Sequence, residues 1–166
     1  LQPLLEGGGQ ERDLRAGTVN VGGAVAMAAA LRLTTERRSV EVSQVARLRD
    51  RLLDGLADAI DGLFENGDPA HKVAGSCHVG IPGIEAEMLL VALDQAGLCA
   101  AAGSSCSSGA TEPSHVLAAM GLPRADAISS IRLSLGFAST DADVDAALEM
   151  VPAAIGNLRR AGAATR

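Results

Sequence analysis

A chain of 166 residues fits one ordinary domain or a piece of a larger one, and its formal charge of −6, with basic residues scattered, argues against a nucleic-acid binder, which needs a basic stripe. Apolar residues make up 48% of it, yet Trp and Tyr are missing and only Phe64 and Phe137 are aromatic, so the core must be aliphatic and no stacking platform for bases or sugars is available. No apolar run approaches the roughly 20 residues needed to span a bilayer, and the opening Leu1-Gln2-Pro3 reads as a cut inside a longer protein.

Residues 1–18 form a loop rich in Gly and charge, with three consecutive glycines at Gly7-Gly8-Gly9 whose backbone freedom suits close approach by a ligand or partner. From Val19 to about Thr35 an Ala-rich stretch favours helix, and its small residues favour tight burial. The spacing of Val45, Leu48, Leu52, Leu56, Ile60 and Leu63 predicts a second helix over 41–64, with Ser43 as a candidate N-cap and Asn66-Gly67-Asp68-Pro69 as the turn after it. Alternation around Cys77, Val79 and Ile81 predicts a strand within 73–82. A helix is expected over 84–95, a short one from Pro113 to Met120 stopped by Gly121, a strand-like run over 128–136, and a last helix over 141–160 capped by Thr140. This order of helices and strands predicts an α/β or α+β layer, a small sheet packed against helices.

Three cysteines, Cys77, Cys99 and Cys106, are an odd number without CxxC spacing, which favours free thiols of a cytoplasmic protein over a disulfide framework or a zinc site. Cys77 and Cys99 flank apolar runs and read as buried small residues. Cys106 is different. It lies in Ala101-Ala102-Gly103-Ser104-Ser105-Cys106-Ser107-Ser108-Gly109-Ala110, small polar residues flanked by glycines, where an exposed thiol can ionise to the nucleophilic thiolate. From these residues alone a reactive loop and a flexible loop with an incidental cysteine stand about even.

The run GSSCSSGATEPSHVLAAMG, followed after a short gap by SSIRLSLG, resembles the cysteine desulfurases of the NifS/IscS class. There a GSxC loop precedes EPSxVLxAMG and SSIRxSLG. The opening GGGQERDLRAGTVNV resembles that family's GGGQExxxRxGTxNV block, and NGDP its turn after the long helix. The resemblance runs in order from about residue 6 to residue 160.

The resemblance implies the C-terminal part of a pyridoxal-phosphate-dependent transferase of fold type I: residues 1–18 a cofactor and dimer loop of the large domain, 19–160 a small domain with its connecting helix, 161–166 a tail. It implies removal of sulfur from L-cysteine to give L-alanine and an enzyme persulfide. The sulfur acceptor would be an iron–sulfur scaffold or a tRNA-thiolation protein, and the enzyme a cytoplasmic homodimer. Cys106 falls on the sulfur-accepting nucleophile and Arg132 on the arginine that pairs with the substrate α-carboxylate, a role suited to a guanidinium fork. Thr18 falls on a threonine that reaches the cofactor phosphate across the dimer interface. No resident metal is implied, though Cys106 as a transient iron–sulfur ligand stays open.

Bland readings stand beside these. Arg132 is otherwise a surface charge on an edge strand, and Thr18 a cap for the Ala-rich helix. His115 raises a Cys–His pair with Cys106, but the resemblance gives it no catalytic part. The single lysine, Lys72, does not fall on the family's Schiff-base lysine, which lies upstream of the GGGQER block, so the fragment alone is expected to be inactive. His78, in Cys77-His78-Val79-Gly80, stands where the family has an Asn-containing strand that contacts the substrate region. A stand-alone sulfur carrier without cofactor chemistry, and a selenocysteine lyase-like enzyme, are the alternatives.

Overall fold

The computed structural model describes residues 2–103 and 113–164. The chain divides into two compact units, Leu1–Ser39 and Val40–Arg166, and the helix α1 (Val21–Ala59) contributes to both.

In the first unit the Gly-rich loop contains one short 3-10 turn over Gln10–Asp13, in which Glu11, Arg12 and Asp13 all take positive φ (50°, 57° and 61°). Arg15 braces the loop by donating from Nη1 to the carbonyls of Gly17 and Thr18 at 2.8 and 3.1 Å. The helix then starts on Asn20, whose Oδ1 accepts from the Gly23 amide at 2.9 Å and so satisfies one of the unpaired donors of the first turn. The alternative cap, Thr18, is thereby replaced. Within this unit the Ala-rich stretch is not tightly buried as expected: Val25 is 63% and Met27 74% exposed.

Two separate helices were expected where one is found. No Gly or Pro interrupts the segment between Gly23 and Gly55. Arg32 and Glu36, four residues apart, pair at 3.1 Å over the expected gap. Ser43 therefore sits inside a helix and does not cap one.

In the second unit four short strands form an antiparallel sheet in the order β1 (Phe64–Glu65), β2 (Ser76–Gly80), β4 (Ser130–Ser134), β3 (Ala101–Ala102). Cys77 and Val79 of β2 face the same side as Ile131 and Leu133 of β4, and all four are buried. That side is covered by Leu48, Leu52 and Leu56 of α1, Leu89 and Leu93 of α2 (Ala86–Gln95), and Val144, Ala147 and Val151 of α5 (Asp141–Ala164). The expected sheet against helices is what forms. Between β3 and β4 lie α3 (His115–Ala119), which Ser114 caps by accepting from the Leu117 amide, and α4 (Arg124–Ile128). Sequence periodicity does not show α4, since five residues are too few to display a stripe. At the start of α5 Thr140 and Asp143 cap reciprocally: the Asp143 amide donates to the Thr140 hydroxyl, and the Thr140 amide to the Asp143 carboxylate.

Arg47 and Arg51 tie α1 to α5. Arg47 binds the Asp141 carboxylate in bidentate fashion at 2.8 and 2.9 Å, and Arg51 reaches Asp141 and Asp145. The hydrogen bond from Arg47 holds the Asp141 carboxyl below the usual carboxylate range.

Leu89 is fully buried between the sheet and the helices. Leu89→Ala removes packed methyl groups and leaves a cavity, so it destabilises by about 2–5 kcal/mol. A lowered denaturation midpoint of the full-length protein is the readout, and an unchanged midpoint contradicts this core.

Candidate functional site

Arg132 lies in the middle of β4, and β4 pairs with β2 on one side and β3 on the other, so the edge-strand reading is set aside. Alternation along the strand turns Arg132 away from the helix-covered core, and it is exposed. Its cross-strand neighbours are His78 on β2 and Ala101 on β3. The guanidinium makes no hydrogen bond or ion pair among the described residues, leaving its donor fork open for an anion.

His78 shares that outer face and is half-buried. Burial, and then the charge of Arg132, lower its pKa below the ordinary imidazole value, so the ring is neutral at pH 7. On β1, Phe64 is paired with Gly80, and its ring lies where a Gly80 side chain would be: a Cβ there would meet Cζ at 2.1 Å. An apolar ring therefore bounds the face beyond His78. On the same face, opposite Gly80, Ser130 is buried, accepting from Asn66 Nδ2 at 2.9 Å and donating to the Asp126 carbonyl at 2.7 Å.

Thr18 belongs to the first unit. Its carbonyl is taken by Arg15, while its hydroxyl and its amide have no partner among the described residues. Gly17, at φ 95°, occupies the left-handed region that a side chain disfavours, and its amide donates to Gln10 Oε1 at 3.1 Å. A free hydroxyl, a free backbone N–H and a nearby guanidinium are a donor set suited to phosphate oxygens.

Cys106 lies outside the described residues, as does the rest of 104–112. The described residues on either side of that segment pack together: a Cβ added to Gly103 would meet Ser114 Cβ at 2.5 Å. His115, next to Ser114, is exposed at the start of α3.

The other two thiols part company. Cys77 is fully buried, and burial pushes its pKa up to about 11, so it remains a protonated core residue. Cys99, expected to be buried, is exposed, because it follows the end of α2 and borders a crevice lined by Leu98, Leu133, Ser139 and Asp143. In the full-length folded protein a maleimide at neutral pH should label Cys99 and spare Cys77, as read by peptide mapping. Equal labelling of Cys77 would contradict its burial.

Lys72 donates from Nζ to the Glu65 carboxylate, and the two side chains are only 15% and 16% exposed. The one lysine of the chain is thus held in a shielded ion pair. Among the described residues no helix is long and apolar enough to cross a membrane.

Comparison with known proteins adds to this geometry. Residues 5–147 match the class-V aminotransferase family. An IscS-like cysteine desulfurase of Mycobacterium tuberculosis is 45% identical over 163 residues, covering 98% of this chain and 42% of the relative. A cysteine desulfurase of Gluconacetobacter diazotrophicus is 42% identical over 159 residues, covering 96% of this chain and 40% of the relative. Among solved structures, the NifS-like protein of Rickettsia africae superposes with a TM-score of 0.79 at 27% identity, over 93% of this chain and 40% of that one. Another NifS-like protein gives 0.80 at 31% identity, over 94% and 39%. The chain therefore spans about two fifths of the length of the relatives it matches.

Proposed function

This chain belongs to the class-V aminotransferase family, and from that premise we propose that it is a portion of a pyridoxal-phosphate-dependent cysteine desulfurase. The observation that carries the reading is Arg132: a central-strand arginine with an open guanidinium fork, inside the SSIR motif of a chain 45% identical to a cysteine desulfurase. The substrate is L-cysteine, and the products are L-alanine and a sulfur atom held on Cys106.

The residues present fit part of the cofactor's needs. The Thr18 hydroxyl and amide, without a partner among the described residues and beside Arg15, are suited to its phosphate, while the lysine that would hold its aldehyde falls upstream of the GGGQER block and is not matched by Lys72, which Glu65 engages. Bound pyridoxal phosphate supplies an electron sink for the amino acid. Arg132 anchors the α-carboxylate through two parallel charge-assisted hydrogen bonds and so fixes the substrate's orientation. The Cys106 thiolate attacks the substrate Sγ, a sulfur–sulfur bond forms, and the Cβ–Sγ bond breaks. Its electron pair stays with carbon, which takes up a proton and leaves as alanine.

Sulfur then passes from Cys106 to an acceptor thiol of an iron–sulfur scaffold or a tRNA-thiolation protein. The enzyme is read as a homodimer, supported by the exposed apolar side chains of the first unit, Val21, Val25, Met27 and Leu31, which suit burial in an assembly, and as cytoplasmic on the family resemblance alone.

The full-length protein incubated with L-cysteine and a thiol reductant should release alanine and sulfide in equal amounts. Transamination to a keto acid without sulfide would overturn the proposal.

A further inference from the structure

The open face of the sheet holds one more group aimed at the same ligand, an inference that rests on the reading of Arg132 as the carboxylate anchor. In the β2–β4 register His78 stands directly opposite Arg132, on the same outer face. Opposed residues of an antiparallel pair hold their Cβ atoms about 4.5–5.5 Å apart, so an imidazole N–H and a guanidinium fork there can reach one carboxylate together. On the other side of Arg132 stands Ala101, whose methyl group offers no competing donor or acceptor.

Neither the His78 imidazole nor the Arg132 guanidinium forms a hydrogen bond or ion pair among the described residues, though both backbones are tied into the sheet. The half-buried imidazole is not engaged by any described side chain, so its N–H is available to a ligand on the open face, which the Phe64 ring bounds over Gly80. Two cations directly opposed across strands are destabilising, which agrees with a ring kept neutral by burial and by the Arg132 charge.

We propose that His78 is a second carboxylate-binding residue, whose imidazole N–H donates to the α-carboxylate oxygen held by Arg132, so that adjacent strands grip the substrate from two directions. A guanidinium fork alone fixes the carboxylate in its own plane. A second donor from the next strand resists tilting out of that plane and sets the direction in which Cα and Sγ point.

Among the described residues the charged and titratable groups around His78 are few. From β4 it faces Arg132, which stays charged throughout; β1 contributes Phe64; and its own strand places Ser76 and Gly80 on this face. Glu65, Lys72 and Cys77 lie toward the opposite side, since Glu65 pairs with Val79 and with Lys72, and Cys77 is in the core. The part of any change in anion affinity across the imidazole range that His78→Gln abolishes therefore reports His78. Below its folded pKa the ring becomes a second cation and the carboxylate is held more tightly.

The test uses the full-length holoenzyme with His78→Ala, His78→Gln and Arg132→Ala. The dissociation constant of L-alanine, and KM and kcat for L-cysteine, are measured across the imidazole range, about pH 5.5–7.5. His78→Ala should weaken L-alanine binding and raise KM roughly tenfold, the loss of one hydrogen bond to a charged group, with kcat within about twofold. His78→Gln, which keeps an N–H donor, should recover most of that loss. The wild type should bind L-alanine more tightly as pH falls, and His78→Gln should lose that trend. Unchanged binding in His78→Ala, equal damage from His78→Gln, or the same pH trend in both would overturn the assignment. If only Arg132→Ala weakens binding, the His78 assignment alone falls. If Arg132→Ala leaves binding intact, the carboxylate site itself is wrong.

Discussion

Arg132→Ala in the full-length protein should lower kcat/KM for L-cysteine roughly a hundredfold or more, chiefly through KM, since it deletes two charge-assisted hydrogen bonds to a carboxylate. The fold should survive, because Arg132 is exposed, lies on the outer face of β4, and supports no other side chain among the described residues. That separation makes the variant informative: a fall in activity with an unchanged denaturation midpoint belongs to the site. Arg132→Lys should recover only part of the loss, because an ammonium keeps the charge but not the planar fork. An unchanged KM in Arg132→Ala would remove the anchor from the account, whatever happened to kcat.

A larger effect is expected from Cys106→Ser. Serine keeps the size and polarity of the side chain, but its hydroxyl does not ionise near neutral pH and cannot hold a transferred sulfur. Release of alanine and sulfide should fall to background, while the cofactor's absorption and L-alanine binding stay as in the wild type, since both are assigned to other residues. Cys99 is exposed but should not rescue the variant, because it lies before β3 and outside the GSSC run. Turnover at the wild-type rate would exclude Cys106 as the sulfur acceptor.

The elements with a clear periodic stripe were legible in the sequence. Leu48, Leu52 and Leu56 mark the buried side of α1 and Cys77 and Val79 the inner face of β2 by spacing alone, whereas 128–136 reads only as strand-like and the inward turn of Ile131 and Leu133 comes from the structure. Strands of two residues, such as β1 and β3, carry no pattern of their own and exist only through their partners. Ser43, a good cap by type for a separate second helix, lies inside α1, whose first turn is capped by Asn20, one residue before the helix. Cys99 was misjudged for a related reason: apolar neighbours in sequence do not fix burial once a helix has ended.

The site was legible in a different way. Nothing in composition or periodicity singles out Arg132 or Thr18; both were reached through motif resemblance. The structure adds a central strand for Arg132 and, among the described residues, a guanidinium and a Thr18 hydroxyl without partners. His78 was noticed only as a departure from the family strand. Its place opposite Arg132 depends on the register between β2 and β4, segments some fifty residues apart, which local sequence does not encode.

The most direct measurement is mass spectrometry of the Cys106 peptide from the full-length holoenzyme, taken after L-cysteine is added without reductant. The account requires one extra sulfur atom on Cys106, lost again on reduction and not formed when L-alanine replaces L-cysteine. Alanine production with Cys106 unmodified, or with the added sulfur on Cys99 or Cys77, would contradict it.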